Sequence, residues 1–240
     1  VEDDKSMLAN VSVNALNKLV NADNASVVLN VAVNTQKALD PILKDRKVPG
    51  IVLWDNTEAI RGMSDYSYAV GFSTEGAGRD MAKFTYSELE LRTVAVVSMI
   101  EEWSELTSGA FVDEFAKLGG RVILHEKTQV EENDFRTIAA KIKQLNPDAA
   151  YFPQYPVPID RLIEQLRTIG YEGKLLTADG FSDVNIANLG NLTEGIYLTQ
   201  LWLQDESFRQ KYVAKYGDEA NPINLAFAGL GYDGVQLVVE

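Results

Sequence analysis

The sequence predicts an α/β protein in which mostly parallel sheets are covered by helices, and two stretches carry that prediction. Thr93 to Val97 is a short apolar run of mainly β-branched residues with no polar alternation. That is the pattern of a strand buried on both faces of a parallel sheet. The surrounding segment, Arg92 to Glu126, reads as a complete βαβ unit. Phe111, Phe115 and Leu118 recur at helical spacing, Gly119-Gly120 stops the helix, and Val122 to Leu124 opens the next strand. The crossover makes the two strands parallel and the connection right-handed. At 240 residues the chain fits one large domain or two lobes of ordinary size, and two lobes is the preferred division.

The other elements follow in order. Val1 to Lys5 looks like the end of a strand. Leu8 to Val20 has a helical stripe through Val11, Ala15, Leu16 and Leu19, and Ser26 to Val31 reads as a buried strand. Asn34 to Leu43 is the next helix and Ile51 to Leu53 the next strand, followed by a polar, turn-like Trp54 to Arg61. Tyr66 to Phe72 is extended, and Thr74 to Leu89 is a helix with Gly76, Ala77 and Gly78 in its first turns. Beyond the βαβ unit, a helix begins at Asp134, with Phe135, Ile138, Ile142 and Leu145 on one stripe, and Asn146-Pro147-Asp148 ends it. Ala149 to Phe152 is a strand. Pro158 opens a helix whose face is Ile159, Leu162, Ile163, Leu166 and Ile169, closed by Gly170. Lys174 to Thr177 is a strand, a polar loop follows, and Ile196 to Leu201 is another strand. Ser207 to Tyr216 and Leu225 to Val239 are two final helices.

Composition excludes several classes. Hydrophobic residues make up 46% and charged residues 24%, a globular balance, and no segment approaches the roughly 18 continuous apolar residues of a membrane span. The net charge of −13 repels phosphate backbones and anionic membranes, so neither nucleic-acid binding nor membrane insertion is expected. With no cysteine there is no disulfide, thiol nucleophile or thiolate metal site. The lone His125, placed at a strand end, reads as a surface or packing residue, and no metal or cofactor is expected. Glycines in Gly71 to Gly78 lack the spacing of a phosphate or dinucleotide loop, and no G-x-S-x-G elbow occurs. Those absences argue against a hydrolase or reductase. The pairs Glu101-Glu102 and Glu131-Glu132 read as solvated loop charges. No leader of the charged, apolar and small-residue type opens the chain, so a secretion signal is expected to be absent or already removed.

One arrangement recurs where strands run out. Trp54 follows Ile51 to Leu53, Trp103 follows Thr93 to Val97, Tyr155 follows Ala149 to Phe152, and Asp179 with Phe181 follows Lys174 to Thr177. In open α/β sheets ligands are met beyond the carboxyl ends of strands. Taken singly each residue is more often a packing or surface residue; jointly they describe a cleft. Aromatic walls with one carboxylate suit a small ligand with an apolar body and a cationic amine.

The chain resembles type I periplasmic binding proteins of the branched-chain amino-acid (Leu/Ile/Val) class. The resemblance runs through VEDDK, TQKALDPIL, VPGIVLWDNTEAI, RTVAVVSMIEEW, FVDEFAKLGG, NDFRTIAAKIKQLNPDAAYF, RLIEQLRTIGYEGKLLTADGF, TEGIYLTQLW and GYDGVQL, in that order and spacing. It implies two α/β lobes, each a mostly parallel sheet flanked by helices, that close on a solute held in the cleft between them. The N-terminal lobe would comprise 1–72 and 203–240 and the C-terminal lobe 73–202, with hinges near Phe72-Ser73 and Trp202-Leu203. Position by position, the resemblance places Asn34 near a turn that holds the ligand carboxylate, where Ala32-Val33-Asn34 replaces the family's paired serines. Trp54 and Asn56 match a strand-end segment that gives a carbonyl and a hydroxyl, with Asn56 in place of threonine and Thr57 beside it. Trp103 and Tyr155 match aromatic cover residues, Asp179 matches the acid that pairs with a ligand ammonium, and Phe227 lies near a last cleft-facing position.

The function implied is that of a non-enzymatic, periplasmic or extracellular solute-binding protein. It would capture an amino acid or related small molecule and deliver it to the membrane permease of an ABC transporter. The bulk of Trp54 and Trp103 tilts the expected ligand toward an aromatic or modified one. The same fold serving as the sensing domain of a receptor or an amide-responsive regulator is the alternative. Family members also carry a strand and helix ahead of VEDDK and further strands past Glu240, so the resemblance implies a longer protein and, for this chain alone, exposed sheet edges.

Overall fold

The first strand of the predicted βαβ unit is an inner strand of the largest sheet, and the second is its edge. A computed structural model describes residues 1–2, 8–200, 206–217 and 222–239. The chain divides into two compact units, Val1–Ser73 with Trp202–Glu240, and Thr74–Leu201. The expected hinge at Trp202-Leu203 and the strand end at Asp3 to Lys5 lie outside the described residues.

The first unit begins with α1 (Ala9–Asn21), β1 (Val28–Asn30), α2 (Val33–Arg46) and β2 (Gly50–Val52). Two short strands, β3 (Asp55–Asn56) and β5 (Phe72–Ser73), flank a 3-10 turn at Glu58–Gly62 and β4 (Ser67–Ala69). Strands β1, β2 and β4 form a parallel sheet in that order, while β3 and β5 pair with each other. Trp54 to Arg61 is therefore not a plain turn, and Tyr66 to Phe72 is two separate strands. Leu16, Val28, Leu39, Leu43 and Val48 form the core. Beneath the sheet, fully buried Gln36 donates to Ser67 Oγ (2.7 Å), and Ser67 and Ser64 each donate to Asp40 Oδ1 (2.6 Å). Among the described residues β1 pairs on one side only, and a cavity of about 170 Å³ lined by Leu16, Leu19, Val28 and Leu39 lies beside it.

The second unit starts with α3 (Thr74–Lys83), which runs into a π-helical turn at Phe84–Glu88, where Leu89 N–H bonds Phe84 O across five residues. Gly78 explains the small residues of this helix: a Cβ there would sit 2.1 Å from Thr107 O on the neighbouring helix. Then come β6 (Thr93–Met99), α4 (Glu102–Lys117), β7 (Arg121–Thr128), α5 (Arg136–Leu145), β8 (Ala149–Tyr151), α6 (Pro156–Thr168), β9 (Lys174–Thr177), α7 (Asp183–Leu189) and β10 (Ile196–Leu198). The five strands are all parallel, in the order β10-β9-β8-β6-β7. Alternate residues of the same strands fill two cores. Ala95, Val97, Ala150, Phe152 and Leu175 pack under α5 and α6, whereas Val94, Val96, Ala149, Tyr151 and Leu176 pack with Phe111 and Phe115 of α4. That two-sided burial is why β6 shows no polar alternation. The chain returns to the first unit through α8 (Glu206–Tyr216) and α9 (Pro222–Val239).

Several expectations shift. His125 lies inside the eight-residue β7, not at its end, with Nε2 3.1 Å from Ser98 Oγ, and burial beside Lys127 lowers its pKa. The helix expected from Pro158 starts at Pro156. The polar loop before β10 holds α7 and a 3-10 turn at Gly190–Thr193.

Candidate functional site

The second unit gathers Trp103, Tyr155 and Asp179 at the carboxyl ends of β6, β8 and β9. Trp103 lies in the first turn of α4 rather than in a loop, because Glu101 caps that helix. The Glu101 carboxylate accepts from Trp103 N–H (3.1 Å) and Ser104 N–H (3.2 Å), so it is a helix cap and not a free loop charge. Ser104 locks the turn in place: its hydroxyl donates to Pro153 O (2.6 Å) and accepts from Met99 N–H (2.8 Å). Tyr155 ends the strand-8 segment as the residue before α6, and its ring stacks on Trp103 with centroids 5.7 Å apart and planes 9° from parallel. Tyr155 remains 39% exposed. Gly180 lets the third strand end approach, since a Cβ there would meet Gln154 O at 2.0 Å and the Trp103 ring at 3.3 Å.

Asp179 is the electrostatic centre of this cluster. Burial pushes its carboxyl up to about 7, against the opposing pull of its own backbone N–H and the Trp103 side chain. Its Oδ1 is buried with no hydrogen-bond partner among the described residues. The Tyr151 hydroxyl shares that condition; the residue is fully buried, its ring tilts on Phe111 at 4.4 Å, and burial with the charge of Asp179 raises its pKa. Tyr155 rises to about 12, through burial and then the negative charge of Glu101. Phe181 sits apart from this group, 6% exposed in the hydrophobic core under α5 and α6.

The first unit holds the other expected residues. Trp54 follows β2 and stacks on Phe227 of α9, with centroids 4.2 Å apart and an interplanar angle of 26°. Thr57 is 4% exposed and its hydroxyl has no partner among the described residues, while Asn56 pairs in β3 with Ser73. Asn34 is exposed and turns inward on its own helix, accepting from Thr35 N–H at 2.6 Å. What occupies the start of α2 is a residue the sequence did not single out: Asp55 Oδ1 accepts from Val33 N–H at 2.9 Å.

Each α/β unit thus carries a stacked aromatic pair and a carboxylate near its strand ends, and no group of three or more metal-ligating side chains occurs among the described residues. The model of the periplasmic binding protein family matches residues 1–240, and the chain belongs to that family. It is 22% identical over 189 residues to the Leu/Ile/Val/Thr-binding protein of Salmonella typhimurium, which covers 77% of this chain and 51% of the relative. The chain thus spans about half the length of the curated relatives it matches. Among solved structures, a leucine-binding protein of Thermotoga maritima is 26% identical with a TM-score of 0.81, over 98% of this chain and 68% of that one. A solute-binding protein of an ABC transporter from Rhodopseudomonas palustris, in complex with 4-hydroxybenzoate, shares the fold at a TM-score of 0.81 and 20% identity, over 99% and 67% of the two chains.

Proposed function

We propose that this chain is the ligand-binding part of an extracytoplasmic solute-binding protein that serves an ABC transporter. It captures an amino acid or related small, aromatic-compatible molecule by closure of two lobes, 1–72 with 203–240 and 73–202, and presents it to a membrane permease. One hinge is assigned to the neighbourhood of Phe72-Ser73. The observation that carries the reading is the Trp103–Tyr155 stack beside a buried carboxylate with an unpaired oxygen. A flat aromatic wall supplies contact area and an attractive face for a cation, and a carboxylate poised near neutrality gains a partner when a solute enters. Trp54, Phe227, Asn56, Thr57 and Asn34 are assigned to the first unit's share of ligand binding. No helix among the described residues is long and apolar enough to cross a membrane.

A thermal-shift screen of amino acids, amines, amides and aromatic acids tests this directly, because a ligand that binds only the folded state raises apparent stability. At least one class is expected to raise the melting temperature and to change tryptophan fluorescence. A screen in which no compound of any class moves either signal would refute solute binding.

A further inference from the structure

The strand ends of an α/β unit are normally where helix N-termini offer N–H groups and positive dipole ends to an anion. In this chain several of those N–H groups are already bonded from within. At α2, Asp55 Oδ1 holds Val33 N–H and Asn34 Oδ1 holds Thr35 N–H. At α4, Glu101 holds Trp103 and Ser104 N–H. At α5, Asp134 Oδ1 holds Arg136 N–H at 3.2 Å, and α7 is closed by the reciprocal Ser182–Asn185 capping box. Helix α6 opens with Pro156 and carries Pro158 in the same turn, so two of its first N–H groups do not exist. Helix α3 places Glu75 in its own first turn.

The side chains point the same way. None of Asn34, Trp54, Asn56, Thr57, Trp103, Tyr155, Asp179, Phe181 and Phe227 is a lysine or arginine. The groups that act on Asp179 are its own backbone and Trp103, and those that act on Tyr155 are the carboxylates Glu101 and Asp179, with no cation among them. Lys127, at the end of β7, is held by Glu105 at 2.6 Å. Without a partner among the described residues are Asp179 Oδ1, which as a carboxylate oxygen only accepts, and the Tyr151 and Thr57 hydroxyls, which accept as well as donate; the stacked faces of Trp103–Tyr155 and Trp54–Phe227 complete the set.

Resting on the solute-binding reading above, we infer that the solute is a cationic amine that carries no carboxylate, rather than an amino acid or an aromatic acid. A carboxylate entering either unit's strand ends would be desolvated against carboxylates, and none of the site residues named above is basic to receive it. An ammonium meets Asp179 Oδ1, the Tyr151 oxygen and aromatic faces, each of which favours positive charge.

Matched pairs decide this with the intact protein. Isothermal calorimetry at pH 8 would compare 3-methylbutylamine with leucine and 2-phenylethylamine with phenylalanine, with benzoate as the anion. The amine of at least one pair is expected to bind at least tenfold more tightly than its amino acid, and benzoate not to bind. Tighter binding of leucine, phenylalanine or benzoate than of the amines would overturn the inference while leaving solute binding intact. Silence across all five probes, with no response in the broader thermal-shift screen, would overturn both. A second variant isolates Asp55: Asp55→Asn keeps the acceptor for Val33 N–H and removes only the charge, so the amine preference should narrow severalfold. An unchanged ratio would remove Asp55 from the account, and Tyr151→Phe, which keeps the ring's packing, should then still weaken the amine alone.

Discussion

Asp55 opens the short parallel strand β3 next to Trp54 of one stacked pair, and Asp179 follows β9 beside Trp103 of the other. Their hydrogen-bonding differs. Asp55 is used by the fold, holding Val33 N–H at the start of α2, whereas Asp179 keeps one oxygen buried and unpaired and is pushed toward neutrality by that burial. The surrounding sheets differ in the same sense. Five parallel strands with a core on each face carry the Trp103–Tyr155–Asp179 cluster, whereas Trp54 and Asp55 follow a three-stranded sheet over the smaller core of Leu16, Val28, Leu39, Leu43 and Val48. A carboxylate can be left unsatisfied only where packing over-determines its position. The better-packed unit is accordingly the one assigned the energetic share of binding, and the other the share of excluding anions.

The comparison breaks most visibly at the core. Phe111→Ala removes a ring stacked on Phe115 at 5.4 Å and tilted on Tyr151 at 4.4 Å. It should cost about 3–5 kcal/mol in a urea melt, and should also weaken binding by freeing Tyr151. A loss below about 1 kcal/mol would mean that the second unit is not held by this core. Next in size, Asp179→Asn should weaken a cationic amine tenfold or more, about 1.4 kcal/mol. It should at the same time raise the unliganded melting temperature at pH 8. The sign follows from burial: the folded carboxyl near 7 lies above its unfolded value, so its contribution to stability is present at low pH and lost as pH rises through 7. A variant that binds normally, or that melts lower at pH 8, would contradict the role. For the same reason the wild-type affinity for an amine should fall severalfold from pH 8 to pH 6 as a proton competes for Asp179, with Tyr151, Tyr155 and Glu101 the titratable neighbours. The Asn variant should be flat over that window.

How much of this was legible depends on whether burial left a periodic trace. Strand β6 and helix α6 were readable because both faces of one and a full stripe of the other are apolar, and that alone carried the fold class. Strands β3 and β5 were not, since two polar residues each make a ladder without any hydrophobic pattern. The α7 helix had only a Ser182-x-x-Asn185 capping signal inside an otherwise polar run. Of the site, Trp103, Tyr155 and Asp179 were visible as strand-end residues, and the structure brings them together. Phe181 shared their spacing but turns into the core. Tyr151 was hidden because one residue of an apolar strand gives no sign of where its hydroxyl ends. Glu101 and Asp55 were hidden because a capping carboxylate and a solvated one look alike until the N–H groups it meets are placed.

The smallest effect separates the two duties given to Asp55. Asp55→Ala removes both its charge and its bond to Val33 N–H, so α2 loses that side-chain acceptor at its start. The expected cost is about 1 kcal/mol of stability, as for other lost helix caps, while Asp55→Asn should keep most of it. Binding should order them differently. The Ala variant frees an N–H at a helix start beside the Trp54–Phe227 stack, so it should gain affinity for leucine relative to 3-methylbutylamine, and gain more than the Asn variant, which still occupies that N–H. Calorimetry on the two variants at one pH checks the order. If Ala and Asn shift the ratio equally, charge alone excludes the carboxylate; if neither shifts it, the first unit has no part in choosing the solute's charge, and the whole preference belongs to Asp179 and Tyr151.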